Sequence, residues 1–183
     1  MQLFKINIKK QYWLGSTDSE EDLCSHGEIY LKVNDTVITQ SGIDEEWGIS
    51  ESALALLRTL DNNYLCAPEE DEGLILHGCG LLLMTSCPIS IHWTVKHCGD
   101  DVFLSDFVKF TSTDNQSGSI YYPDLKVKLS RNEYKFQVCQ FAIEAREFFR
   151  SSKEKRISDD FDKNMYDEFW SEYNQLLNSN LPD

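Results

Sequence analysis

Polar and apolar residues alternate at the start of the chain, where Phe4, Ile6 and Ile8 are interleaved with Lys5, Asn7 and Lys9. A period of two sends successive side chains to opposite faces, so the stretch predicts a half-buried β-strand. Glu28–Val33 and Thr36–Thr39 are β-rich and flank Asn34-Asp35, residue types that suit a two-residue hairpin turn. Farther along, Ile89, Ile91, Trp93 and Val95 define one face of a strand, and Ser90, His92, Thr94 and Lys96 the other. Val102–Phe110 and the alternating Leu125, Val127 and Leu129 predict two more strands. Leu74–Leu76 and Leu81–Met84 are short apolar runs on either side of Gly78-Cys79-Gly80, the pattern of buried strands around a turn.

Elsewhere the apolar period lengthens to that of a helix. Ile49-Ser50-Glu51-Ser52-Ala53-Leu54 opens one, with Ser50 as the expected cap and Ile49 and Leu54 as a hydrophobic staple. Ser130-Arg131-Asn132-Glu133 has the form of a capping box. Behind it Tyr134, Val138, Phe141, Ala142, Ala145, Phe148 and Phe149 fall on one stripe. A charged linker, Ser151–Ile157, leads to a last helix from about Asp159, striped by Phe161, Met165, Phe169, Tyr173, Leu176 and Leu177. Strands, one early helix, more strands and two helices in that order predict an α+β fold. Its largely antiparallel sheet carries the early helix and two C-terminal amphipathic helices on one face. The length of 183 residues fits a single domain, 1–183.

Charge adds a feature that periodicity does not show. The net charge is −14, and residues 11–72 hold 15 acidic residues against two basic ones, Lys32 and Arg58. The carboxylates come in bursts: Asp18/Glu20/Glu21/Asp22, Asp44/Glu45/Glu46 and Glu69/Glu70/Asp71/Glu72. Such bursts either keep loops solvated or attract a basic partner. Direct nucleic-acid binding is disfavoured, because that needs a basic footprint. The N-terminal alternation is unlike a targeting segment, and the longest apolar run, Leu81–Met84, is too short to span a bilayer. The expectation is a cytoplasmic protein with no membrane association and with reduced cysteines.

Candidate chemistry concentrates in residues 77–98, which hold three of the four histidines and three of the six cysteines. His77, Cys79, Cys87 and His92 could supply mixed nitrogen and sulfur ligands to zinc, although their spacing matches no knuckle. Cys79, between two glycines, could act as a nucleophile with a nearby histidine as base. The plain reading is a pair of strands with His92 on a solvated polar face, where His92 and Thr94 would be the first residues to meet a partner. No cofactor-binding motif is present, and no cofactor is expected.

The reading that joins these features is a small acidic binding protein of the inhibitor or immunity type, neutralising a basic protein partner such as a toxin nuclease. The expected contact residues are Asp44, Glu45, Glu46, Trp47, Glu69, Glu70, Asp71, Glu72 and His92. Trp47, Tyr64 and Tyr12 are the candidate aromatic anchors, and Trp47 could equally be a core lid over the first helix. The alternative is a thiol- or zinc-dependent enzyme centred on residues 77–98. A third possibility is a subunit that uses Tyr166, Trp170 and Tyr173 as a contact surface.

Overall fold

The computed structural model describes residues 3–14, 20–68, 73–77, 89–111 and 118–181. Nine strands and three helices lie within them: β1 (Phe4–Tyr12), β2 (His26–Val33), β3 (Thr36–Thr39), β4 (Trp47–Gly48), α1 (Ile49–Arg58), β5 (Ile75–His77), β6 (Ser90–Cys98), β7 (Asp101–Phe110), β8 (Ser119–Tyr122), β9 (Val127–Ser130), α2 (Arg131–Arg150) and α3 (Asp160–Asn180). The strands form one sheet in the order β1-β2-β4-β5-β6-β7-β8, with β3 also on β2 and β9 also on β7. All these pairings are antiparallel. The α+β architecture is the one the periodicities predict. Asn34, at φ 52°, makes the left-handed turn between β2 and β3. Its side-chain amide donates to the carbonyl of Lys126 at 3.1 Å, so the sheet curls until the β2–β3 turn meets the approach to β9.

The alternating residues fill the inside of this curl. Phe4, Ile6, Ile29, Leu31, Val33, Ile91, Trp93, Val95, Val102 and Leu104 are all buried in one core cluster. Phe4 reaches Trp93 with ring centroids 6.1 Å apart and Tyr134 of α2 at 5.8 Å. Helices α1 and α2 pack against the sheet and each other, whereas the main contacts of α3 are with those two helices. The buried hydroxyl of Tyr134 meets Thr59 Oγ1 at 2.7 Å, and that of Tyr173 donates to the Ala142 carbonyl at 2.7 Å. Both hydroxyls are therefore satisfied away from water.

Local expectations differ from the structure in several places. The capping box stands: Glu133 N donates to Ser130 Oγ at 3.2 Å, and Ser130 N to Glu133 Oε2 at 2.9 Å. Ser50, by contrast, lies inside α1, whose N-cap is Gly48. Its hydroxyl accepts from Ser25 N at 3.0 Å, tying the helix to the chain entering β2. Strand β8 falls in a stretch with no predicted element. In α3, Phe161 is exposed instead of joining the buried stripe, because the first turns of that helix extend beyond the core. Tyr173 is fully buried and Trp170 packs on Phe149, Phe169 and Tyr173, so these aromatics hold α3 in place instead of forming a free contact surface. The predicted strand Leu81–Met84 lies outside the described residues. No helix among the described residues is long and apolar enough to cross a membrane.

Candidate functional site

The acidic loop before α1 is only partly displayed. Asp44 is exposed, at φ 57°, a backbone conformation that aspartate tolerates. Glu45 turns inward and forms an ion pair with Lys109, whose side chain is buried and also donates to the Ile38 carbonyl at 2.9 Å. Glu45 further accepts from Thr39 Oγ1 at 2.7 Å, and Glu46 from the Tyr12 hydroxyl at 2.7 Å. Trp47 is 1% exposed and its indole N–H donates to Thr39 Oγ1 at 3.3 Å, so it is a core residue of β4 and not a surface anchor. Asp44, Glu45, Glu46, Trp47 and His77 border a cavity of about 90 Å³. Sites for organic ligands are usually at least about 300 Å³, so this one fits only a few waters. Glu69, Glu70, Asp71 and Glu72 lie outside the described residues.

His92 is also inside the protein, 1% exposed, in place of the solvated position expected of it. Two elements distant in sequence cover it. Phe110 packs edge-on at 5.6 Å between centroids, and Gly73, at φ +96°, presses its backbone so close that a Cβ there would lie 3.0 Å from the imidazole. The ring is held by Ser90 Oγ at 2.8 Å from Nε2. Burial lowers its pKa to about 4, so it is neutral at physiological pH. His77 faces a different neighbourhood, beside Trp47 and Glu46. The register places His77 opposite Ile89 and His92 three residues beyond it, on opposite faces of the strand pair. The two described members of the predicted zinc set thus point apart, while Cys79 and Cys87 lie outside the described residues.

A different cluster is assembled where the chain enters β2. Asp22, Cys24 and His26 alternate along the stretch that bends at Cys24 on its way into β2, and their ligand-type atoms all lie within 4.8 Å of one another. Cys24 Sγ is 3.6 Å from His26 Nε2 and 3.8 Å from Asp22 Oδ1, and His26 Nε2 is 3.7 Å from Asp22 Oδ2. Cys24 and His26 are fully buried, and Asp22 is fixed by Leu14 N, which donates to Oδ2 at 2.6 Å. His26 Nδ1 has no hydrogen-bond partner among the described residues. Burial, followed by the carboxylates of Glu51 and Asp22, pushes the Cys24 thiol well above its usual range. The thiol is therefore protonated and shielded, the opposite of what a catalytic nucleophile needs.

Two further charged groups complete the surroundings. Glu51, in the first turn of α1, is buried against Gly48, where a Cβ would lie 2.7 Å from Glu51 Oε2; glycine leaves space for that carboxylate. Lys155 comes from the linker between α2 and α3, its ammonium 3.2 Å from the Trp13 ring centroid and acting on Asp22 and Cys24. Burial lowers its pKa to about 8. Neighbouring linker residues dock onto the acidic burst: Lys153 pairs with Glu20 at 2.9 Å and Arg156 with Glu21 at 2.8 Å. Glu20 and Glu21 of that burst therefore bind the protein's own basic linker. The signal for the cluster was in the sequence as Asp22-x-Cys24-x-His26, alternating donors that the bend at Cys24 brings together. No protein-family model matches the sequence, and neither the curated proteins nor the solved structures give a match.

Proposed function

We propose that this chain is a binding protein of the inhibitor or immunity type, whose partner is a basic protein such as a toxin nuclease. The observation that carries the reading is the charge. Thirty-one acidic residues face 17 basic ones, so internal pairing of every lysine and arginine would still leave fourteen carboxylates. Pairs such as Glu45–Lys109 and Glu20–Lys153 remove local charge from the loops but not the long-range field, which speeds encounter with a basic partner. Apolar residues stand exposed in the same third of the chain: Leu14, Ile43 and, at 69%, Leu65. Apolar anchors within a charged rim are the usual source of affinity at such surfaces. Cys24 is buried and protonated and His92 is buried and neutral, while Cys79 and Cys87, on which the thiol-enzyme alternative rests, lie outside the described residues.

The test is retention from a lysate of the native host at low salt. The wild-type chain is expected to hold a basic protein in stoichiometric amount. Asp44→Asn with Glu46→Gln should weaken retention while keeping the left-handed turn and the Tyr12 hydrogen bond. Leu65→Ser should weaken it further. No stoichiometric partner, or retention indifferent to all three changes, contradicts the proposal.

A further inference from the structure

We propose that Asp22, Cys24 and His26 form a binding site for a divalent transition metal, with zinc the best match to their chemistry. Thiolate, imidazole and carboxylate together make a borderline-soft donor set that zinc accepts and that calcium and magnesium do not. The site goes beyond the partner-binding role and does not depend on it.

The His26–Asp22 distance is longer than an ordinary hydrogen bond, whereas the two contacts of Cys24 Sγ have lengths usual for sulfur. An imidazole N–H that donates to a carboxylate closes to about 2.7–3.2 Å. His26 Nε2 and Asp22 Oδ2 stand 3.7 Å apart, with the Asp22 carboxylate held by the amides of Leu14 and Cys24. With zinc bonds of about 2.3 Å to sulfur, 2.05 Å to nitrogen and 2.1 Å to oxygen, a tetrahedron has edges of about 3.4–3.6 Å between ligand atoms. His26 Nε2 lies 3.6 Å from Cys24 Sγ and 3.7 Å from Asp22 Oδ2, close to those values, whereas Sγ meets the other carboxylate oxygen, Oδ1, at 3.8 Å. With one oxygen per carboxylate the three donor atoms lie within 4.8 Å of one another, and a turn of the Asp22 carboxylate with inward movement of the other two would bring them into bonding range of one ion.

The charges point the same way. Asp22 and Glu51 bring two carboxylates into a buried region that also holds the Lys155 ammonium. When zinc enters, the Cys24 S–H releases its proton to solvent and the thiolate takes the metal. Glu51 or a water completes the fourth position. Because Ser25 N and Ser25 O bind Ser50 Oγ and Ile49 N, at 3.0 and 2.7 Å, the ion would brace the junction of β2 and α1.

The full chain, stripped with a chelator, is titrated with zinc alone, and with cobalt(II) as a spectroscopic probe. One zinc per chain is expected, with a rise in melting temperature. Cobalt should give a thiolate charge-transfer band in the near ultraviolet and tetrahedral d–d bands in the visible. Cys24→Ser and His26→Gln should each weaken zinc by roughly a hundredfold or more, since even outer partners of metal ligands cost 10–100-fold. Cys98→Ser, at an exposed position, should change nothing. Circular dichroism checks that each variant folds. If Cys24→Ser does not fold, a chain carrying Cys79→Ser and Cys87→Ser must keep the cobalt thiolate band. No zinc binding by the wild type overturns the proposal. So does binding that survives Cys24→Ser and His26→Gln, or that disappears with Cys79→Ser and Cys87→Ser.

Discussion

His92 makes stability depend on pH in a way that can be calculated. Its ordinary pKa of 6.5 falls to about 4 in the folded protein, because burial disfavours the charged ring. Between those values the unfolded chain binds a proton that the folded chain does not, so stability declines as the solution is acidified. The stabilisation is complete above the unfolded value and is lost progressively as pH falls toward 4. Linkage gives a loss of about 2 kcal/mol between about pH 7 and about pH 5, before most carboxylates titrate. Urea unfolding followed by tryptophan fluorescence at the two pH values measures this. His77, also lowered by burial, contributes with the same sign, so the informative quantity is a difference. His92→Gln keeps a polar partner for Ser90 but does not titrate. Wild type should lose about 2 kcal/mol more than this variant over the same interval. Equal losses would refute the buried, neutral state of His92.

Three other outcomes follow from the same contacts. Gly73→Ala forces a side chain into a left-handed backbone and against the His92 ring, and should destabilise by roughly 1–3 kcal/mol in the same unfolding assay. Glu45→Gln leaves the Lys109 ammonium buried without its carboxylate and should cost roughly 3 kcal/mol or more, while adding Lys109→Met should recover part of that loss. In the native protein iodoacetamide should label Cys98 quickly and spare Cys24 and Cys139 until denaturant is added, with the sites read by peptide mass spectrometry. Labelling of Cys24 at the rate of Cys98 would contradict its burial.

Much of the fold was legible because each local signal agrees with the global packing. The alternation at Phe4, Ile6 and Ile8 marks the core side of β1, and the Ser130–Glu133 box starts α2 where it predicts. Burial by remote segments was not legible. His92 alternates with apolar neighbours as a solvated residue would, but Gly73 and Phe110 cover it. Trp47 follows three acidic residues, yet β2 and β5 flank it in the sheet and Thr39 takes its N–H. Charge bursts were equally ambiguous, since Glu20 and Glu21 meet Lys153 and Arg156 from more than a hundred residues away. The density of histidine and cysteine in residues 77–98 is conspicuous, but density does not set side-chain direction. The sparser Asp22, Cys24 and His26 converge where the chain bends into β2.

The most direct measurement of the proposed binding role is the association rate of the chain with the basic protein it retains, followed by stopped flow as salt is raised. If the acidic field guides the encounter, the rate should fall roughly tenfold or more between about 0.02 M and about 0.2 M salt. The Asp44→Asn, Glu46→Gln chain should start lower and fall less steeply. An association rate that does not change with salt, or is the same in both chains, would contradict a role built on the surplus of carboxylates.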